Sequence, residues 1–199
     1  MTKTNRRQHI LEVLAHELET KPGSRITTAA LAAAVGVSEA ALYRHFASKA
    51  QMFEALIEFA EETVFGVFNQ VMSEQREAEV RLFHLTTVLL RFAERNPGIA
   101  RVLTGDILLG EHERLRGRVQ QFFARVETQF RQVMRERKLS EDIGSDALYV
   151  QQSARLLLTL VVGRVAQFVR SEYADAPARD WDQQWHLVRT GLFPFTAAP

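Results

Sequence analysis

Apolar residues recur at helical spacing along almost the whole chain, and this periodicity limits what the chain can fold into. It is clearest in the predicted helix 112–138, where the intervals are four, three, four, four and three residues. Such intervals place the side chains on one face of an α-helix. No stretch alternates in the way a half-buried strand does. The sequence therefore predicts an all-α protein. The apolar residues of this segment are Leu115, Val119, Phe122, Val126, Phe130 and Val133.

Turn signals divide the chain into about nine predicted helices. Ser48 and Gln51 have the spacing of a capping box, in which the serine takes the Gln51 N–H and Gln51 reaches back. We expect a three-helix N-terminal domain over residues 5–65 and a larger helical domain over 66–199. The predicted helices cover 5–19, 27–35, 38–46, a long segment that starts at Ser48, 79–94, 98–109, 112–138, 145–171 and 181–191.

The residue inventory argues against catalysis and metal binding. There is no cysteine, which excludes disulfides, thiolate zinc sites and thiol nucleophiles. The six histidines form no i, i+4 pair, and no nucleophile elbow, phosphate-binding glycine loop or dinucleotide fingerprint occurs. The apolar stretches are too short to cross a bilayer, and no secretion signal opens the chain. We expect no enzyme activity, no catalytic residues, no metal, no cofactor and a cytoplasmic location.

Positive charge is concentrated at the N-terminus. Residues 1–49 hold seven Lys/Arg against four acids, a net charge of +3, and the remaining 18 Lys/Arg face 20 acids, a net charge of −2. This distribution is typical of a nucleic-acid-binding domain, although an excess of three charges is weak evidence by itself.

Residues 25–49 predict a helix-turn-helix. Two short helices flank Gly36, which can adopt the left-handed conformation that ends a helix, and Ser38 is a good N-cap for the second. Five alanines at 29, 30, 32, 33 and 34 would let the helices cross closely. The apolar residues expected to fix the crossing are Val35, Val37, Leu42 and Phe46. The residues left on the outer face of the second helix, where they can enter a major groove, are Ser38, Glu39, Ala40, Tyr43 and Arg44.

Hydrogen-bond donors suited to phosphate lie around this motif. Tyr43, His45 and Lys49 fall within seven residues, and Thr27 and Thr28 place hydroxyl and N–H groups at a helix start. The alternative interpretation is a pair of packed helices that binds no nucleic acid. The donors favour DNA binding.

The run from Gly36 to Phe46, followed by Ser48-Lys49, resembles the signature of the TetR-type DNA-binding domain. The resemblance implies an all-α homodimer that binds palindromic double-stranded DNA, with one or more dimers at each site. It assigns phosphate contacts to Tyr43, His45 and Lys49. It further implies backbone contacts at Thr27 and Thr28, and base contacts at Glu39, Ala40 and Arg44. Arg6 and Arg7 precede the first helix, either as an arm on the DNA or as a solvated terminus.

Later segments resemble a family of nucleoid occlusion factors within the TetR type. They are 57–59, 94–105, 113–118 and 168–173. The resemblance implies a nucleoid-associated dimer that antagonises the division GTPase FtsZ, so that no septum forms over the chromosome. It places the FtsZ surface at Phe59, Arg95 and Asn96. From the residues alone, Phe59 fits a core position equally well. The chain departs from the family pattern at Val67, where a basic residue can occur, and at Arg91, where a glycine can.

Two alternatives remain. A ligand-responsive TetR-type repressor needs a closed, largely apolar pocket, although the residues that would line it also fit a solid core. A purely structural helical dimer is the other. The pocket candidates are Phe65, Phe83, Phe92, Leu103, Phe122 and Leu158.

We expect the dimer to be held by the last two helices, because their apolar residues exceed what one chain needs to cover. The expected interface residues are Leu157, Leu158, Val161, Val165, Phe168 and Trp185, with Ala154, Trp181 and Leu192 beside them.

Overall fold

The computed structural model describes residues 3–22, 24–108, 113–141 and 147–193. Within these ranges the chain forms α-helices and one 3₁₀ helix and contains no strand, which confirms the all-α prediction. The helices are α1 (Lys3–Thr20), α2 (Thr28–Val35), α3 (Glu39–Tyr43), α4 (Lys49–Glu74), α5 (Ala78–Arg95), α6 (Pro97–Leu103), the 3₁₀ helix (Asp106–Leu108), α7 (Glu113–Glu141), α8 (Ala147–Arg170) and α9 (Trp181–Leu192).

Two of the predicted helices are shorter than expected. The segment predicted as a helix over 98–109 ends at Leu103, because Gly105 adopts a left-handed conformation with φ of 79° before the 3₁₀ helix. The second helix of the helix-turn-helix covers Glu39–Tyr43 rather than 38–46. Residues 109–112 and 142–146 lie outside the described residues, and they include the last residue of the predicted helix 98–109, the first of 112–138 and the first two of 145–171.

The chain forms two compact units. Unit 1 comprises Met1–Thr63 and Arg95–Gln121, and unit 2 comprises Val64–Glu94 and Phe122–Pro199. The predicted domain boundary between residues 65 and 66 falls close to the first division. The units differ from the predicted domains in residues 95–121, which pack with the N-terminal segment. The predicted domain limits themselves stay a prediction.

In unit 1, α6 packs closely on α1. A Cβ atom added at Gly98 would lie 2.1 Å from the carbonyl oxygen of Ala15, so only glycine fits this approach. Arg101, 2% exposed, donates from Nη1 to the Leu18 carbonyl at 2.7 Å and to the Lys21 carbonyl at 3.0 Å. The last carbonyls of a helix have no partner within the helix. Arg101 supplies one for the end of α1.

In unit 2, the core is partly aromatic. The ring centroids of Phe83 and Trp185 are 5.7 Å apart, and those of Trp181 and Trp185 are 5.9 Å apart. The indole N–H of Trp181 donates to the hydroxyl of buried Thr86 at 3.2 Å. Phe65 packs edge-on against Phe122 with a centroid separation of 5.7 Å. Two of the pocket candidates, Phe65 and Phe122, thus fill space against each other.

Most of the residues expected at the dimer interface are covered by their own chain, and their place in an interface stays a prediction. Leu157, Val161, Val165, Phe168 and Trp185 are all buried, and Leu158 is half-buried. Ala154, Trp181 and Leu192 are buried as well. A single chain therefore already covers most of these apolar positions. The large apolar residues that α8 and α9 leave exposed are Leu148, Tyr149, Leu156, Leu160 and Leu187.

Among the described residues, no helix combines the length and apolar character required to cross a membrane.

Candidate nucleic-acid interface

The helix-turn-helix is built by local caps. Thr27 is the N-cap of α2, and its Oγ1 accepts a 3.1 Å hydrogen bond from the Ala30 N–H. Gly36 ends α2 in the left-handed conformation with φ of 77°. Ser38 is the N-cap of α3, and its Oγ accepts from the Ala41 N–H at 3.2 Å. The predicted roles of Gly36 and Ser38 are confirmed.

The apolar side of the motif holds α3 in place. Leu42 and Phe46 are fully or almost fully buried, Val35 is buried, and Val37 is half-buried. Of the five alanines expected to let the helices cross, only Ala32 is buried. The other four alanines are exposed, so the structure supports the alanine prediction at one position.

The outer face of α3 is exposed. Tyr43 is 44% exposed, and the other residues of this face are exposed too. They are Ser38, Glu39, Ala40 and Arg44. This face is therefore open to solvent within unit 1.

The phosphate-donor candidates cluster where α3 ends and α4 begins. Lys49 is the first residue of α4, and its ammonium lies 5.4 Å from the centre of the Phe53 ring. His45 Nδ1 is buried and has no hydrogen-bond partner within the described part of the chain. A proton on Nδ1 would be an unpaired buried donor, so the tautomer with its proton on Nε2 is favoured. That tautomer leaves the Nε2–H to donate to a phosphate.

The cap of α4 differs in one bond from the predicted capping box. The Gln51 N–H donates to Ser48 Oγ at 3.2 Å, as expected. Gln51 Oε1 accepts from the Ala47 N–H at 2.9 Å, rather than from the N–H of Ser48. The Gln51 side chain reaches one residue further back and still satisfies a backbone donor, that of the residue directly after Phe46.

Arg7 is docked on the helix-turn-helix, which neither interpretation of the N-terminal arginines anticipated. Its Nη1 donates to the His45 carbonyl at 2.7 Å, and its guanidinium carbon lies 4.1 Å from the centre of the Phe46 ring. A guanidinium has five N–H donors, so others can still reach a phosphate. Arg6 is half-buried. Arg7 therefore stabilises the turn that carries His45. The two residues are 38 positions apart in the sequence, so no local sequence pattern indicates this contact.

Thr28 and Glu39 are joined by a hydrogen bond. Thr28 Oγ1 donates to Glu39 Oε2 at 2.8 Å, connecting the first turn of α2 to the first turn of α3. Sequence reasoning placed both residues at the DNA but did not pair them.

A groove of about 130 Å³ in unit 1 contains two of the predicted partner residues. Phe59, 40% exposed, and Asn96 line it, and Arg95 is exposed beside Asn96. Phe59 is therefore not a core residue. The α1 side of the groove was missed, since its polar residues resemble an ordinary solvated helix face. The lining residues are Gln8, Leu11, Glu12, Ala15, Leu56, Phe59, Asn96 and Ile99.

Solved structures share this fold. MbdR from Azoarcus sp. CIB aligns with a TM-score of 0.75 at 15% identity, covering 99% of this chain and 100% of MbdR. FadR from Bacillus subtilis, in complex with stearoyl-CoA, aligns with a TM-score of 0.73 at 15% identity, covering 92% and 98%. At such identities the likeness concerns the fold alone.

Family models cover both parts of the chain. Residues 10–56 match the bacterial regulatory proteins of the tetR family, and residues 76–192 match the tetracyclin repressor-like C-terminal domain. These matches, on a fold that carries a helix-turn-helix, define a regulator of the TetR class. The chain is 54% identical to nucleoid occlusion factor SlmA of Shewanella pealeana over 190 residues and 55% identical to that of Shewanella halifaxensis, with 96% of each chain covered. It belongs to the SlmA family of nucleoid occlusion factors.

Proposed function

We propose that this chain acts as a homodimer on palindromic double-stranded DNA and, in that state, antagonises FtsZ assembly over the nucleoid. The observation that carries the DNA-binding part is the exposed outer face of α3, with Tyr43, His45 and Lys49 at one end of it. The identity to SlmA proteins over almost the whole chain supports the division role. The activity is binding, without catalysis, metal or cofactor, and its place is the nucleoid in the cytoplasm.

Different residues on and beside the α3 face would contact the bases and the phosphates. Glu39, Ala40 and Arg44 would meet base edges, because the N-terminal part of a recognition helix enters the major groove. Tyr43, His45 and Lys49 would bind phosphate oxygens on the adjoining strand. The residues that would add backbone contacts are Thr27, Ser38, Arg6 and Arg7, with the backbone N–H of Thr28.

The dimer surface would use the exposed residues of α8 and α9 instead of the buried ones predicted first. Leu156 and Leu160 are one turn apart on α8, and Leu187 on α9 is 77% exposed. A two-fold dimer would place the recognition helices in successive major grooves, about 34–36 Å apart. One or more such dimers would occupy each site.

The dimer proposal is tested by sedimentation of a Leu156→Glu, Leu160→Glu double variant. We expect monomers, because two carboxylates would be buried without partners. Gln151→Glu, on an exposed position of α8, is the control and should stay dimeric. A double variant that remains fully dimeric would contradict this surface.

The groove beside Phe59 and Asn96 would take an apolar residue of an FtsZ segment, with Arg95 at its rim. Residues of α1 line this groove, and the same helix carries Arg7 to the His45 carbonyl. Binding of DNA and binding of FtsZ would therefore both act on α1. Each of the two should then strengthen the binding of the other. Equal affinity for FtsZ with and without site DNA would remove this coupling.

Mapping the bound chromosomal sites in cells separates this proposal from a ligand-responsive repressor. Nucleoid occlusion requires many dispersed sites, sparse near the terminus. One or two promoters beside a transporter or enzyme gene would support the repressor instead.

A further inference from the structure

The carboxylate of Glu39 has a fixed position at the front of the recognition helix. Glu39 is the first residue of α3 and is exposed, while Thr28, the first residue of α2, is half-buried. The 2.8 Å hydrogen bond from Thr28 Oγ1 to Glu39 Oε2 ties the two together. Because the start of a recognition helix is the part that meets base edges, the bond orients a charged group where sequence is read.

The two neighbouring threonines differ in what their hydroxyls can still do. The Thr27 hydroxyl accepts a hydrogen bond from the Ala30 N–H and keeps its own proton to donate to a phosphate. The Thr28 hydroxyl already uses its single O–H donor in the hydrogen bond to Glu39. It therefore cannot donate to a phosphate oxygen at the same time. This separates the role of Thr28 from the phosphate contact first expected for it.

A carboxylate on a DNA-binding face is selective because it can only accept hydrogen bonds. Guanine and thymine present acceptors to the major groove, and adenine presents its amino group beside the N7 acceptor. Cytosine presents the N4 amino group as a donor. An ionised Glu39 is thus repelled by phosphates and by most base edges, and it is matched by cytosine. A carboxylate has about four lone-pair sites, so accepting from Thr28 leaves capacity to accept from a base.

We propose that Glu39 reads the N4 amino group of a cytosine in each half-site, and that Thr28 is the positioning residue that holds the carboxylate for this contact. The proposal rests on the DNA binding proposed above and adds a base preference to it. A merely structural bond between α2 and α3 would affect stability but would not change which base is selected.

The test is a selection of binding sites from a pool of randomised duplexes with the full-length protein. Wild type is compared with Glu39→Gln, Thr28→Val, which keeps the shape but removes the hydroxyl, and Thr28→Ser, which restores the hydroxyl. Affinities are then measured for the selected duplex and for versions with the cytosine replaced. Thermal unfolding of each variant, followed by circular dichroism, is recorded alongside.

For wild type we expect one position in each half-site where replacing cytosine lowers the affinity about tenfold. Thr28→Val should reduce that factor to below about threefold, and Thr28→Ser should restore it. Glu39→Gln should lose the cytosine preference and accept adenine, which a side-chain amide can pair.

A selected site whose cytosine preference survives Glu39→Gln, or survives Thr28→Val, would overturn the inference and leave the proposed function standing. A changed unfolding temperature with an unchanged base preference in Thr28→Val would also overturn it. If wild type enriches no sequence at all, the proposed function fails, and this inference fails with it.

Discussion

The guanidinium of Arg101 donates a 2.7 Å hydrogen bond to the carbonyl oxygen of Leu18. Arg101 is buried on α6, and Leu18 lies in the last turn of α1. The other end of α1 is held through Arg7, which bonds the His45 carbonyl. One helix is therefore fixed by arginine–carbonyl bonds near both ends, and between them it lines the groove of Phe59 and Asn96.

Replacing Arg101 with methionine should destabilise the protein strongly. The Leu18 carbonyl would lose the Arg101 donor in a buried setting, the partly buried Lys21 carbonyl would lose it too, and Asp106 would lose its ion-pair partner. We expect a loss of about 2–5 kcal/mol in the free energy of unfolding, measured with urea. Arg114→Met is the control in the same unit, because Arg114 pairs with Glu54 at the surface and should cost less than about 1 kcal/mol. Equal losses in the two variants would contradict the role given to Arg101.

Glycine is required at position 98 and not at position 117. Gly98→Ala would place a methyl group 2.1 Å from the Ala15 carbonyl oxygen, so α1 and α6 would have to separate. We expect Gly98→Ala to lower the free energy of unfolding by about 3 kcal/mol, which is the upper end of the range for overpacking. An added Cβ at Gly117, within α7, meets nothing within 4 Å. Gly117→Ala should therefore raise stability by about 0.5–1 kcal/mol. Thermal unfolding of the pair checks both signs, and a stable Gly98→Ala would refute the close packing.

The local part of the candidate site could be predicted from the sequence. Gly36, Ser38 and the spacing of Leu42 and Phe46 act over a few residues, so their roles follow from caps and periodicity. The exposed face of α3 then follows by elimination.

The contacts that join distant segments could not be predicted. Arg7 bonds a carbonyl 38 residues away, and Arg101 bonds one 83 residues away. Such arginines look like surface residues until the fold brings carbonyls to them. The burial of the expected dimer residues could not be predicted for a related reason, since periodicity indicates an apolar face without showing which chain covers it. Leu157 and Trp185 are covered by their own chain, and Leu156 is not.

Thr27→Ala should reduce both stability and DNA affinity. From the sequence alone, Thr27→Ala is expected to weaken DNA binding without lowering stability. In the structure, however, the Thr27 hydroxyl also caps α2. Loss of an N-cap costs about 1 kcal/mol, which should lower the unfolding temperature by a few degrees. Thr27→Ser keeps the hydroxyl and should behave like wild type in calorimetry and in DNA titrations. An unfolding temperature for Thr27→Ala equal to that of wild type would show that the cap contributes nothing.

Arg44 should determine sequence preference more than overall affinity. Arg44→Lys keeps the charge but loses the planar pair of donors that matches guanine O6 and N7. We expect Arg44→Lys and Arg44→Ala both to bind selected and random duplexes more equally, with Arg44→Ala also weaker on random DNA. Competition titrations measure the ratio of the affinity for the selected duplex to the affinity for random duplexes. A wild-type ratio in Arg44→Lys would remove Arg44 from the base contacts.

The central claim is that the end of α3 and the start of α4 lie against the phosphates of a duplex. The most direct test is the affinity of Lys49→Ala for a labelled duplex, measured by fluorescence anisotropy between about 50 and 200 mM salt. Arg135→Ala, an exposed arginine on α7, is the control. The account predicts weaker binding to every sequence and a salt slope reduced by about one for Lys49→Ala, with no change for the control. Wild-type affinity and slope in Lys49→Ala would contradict it.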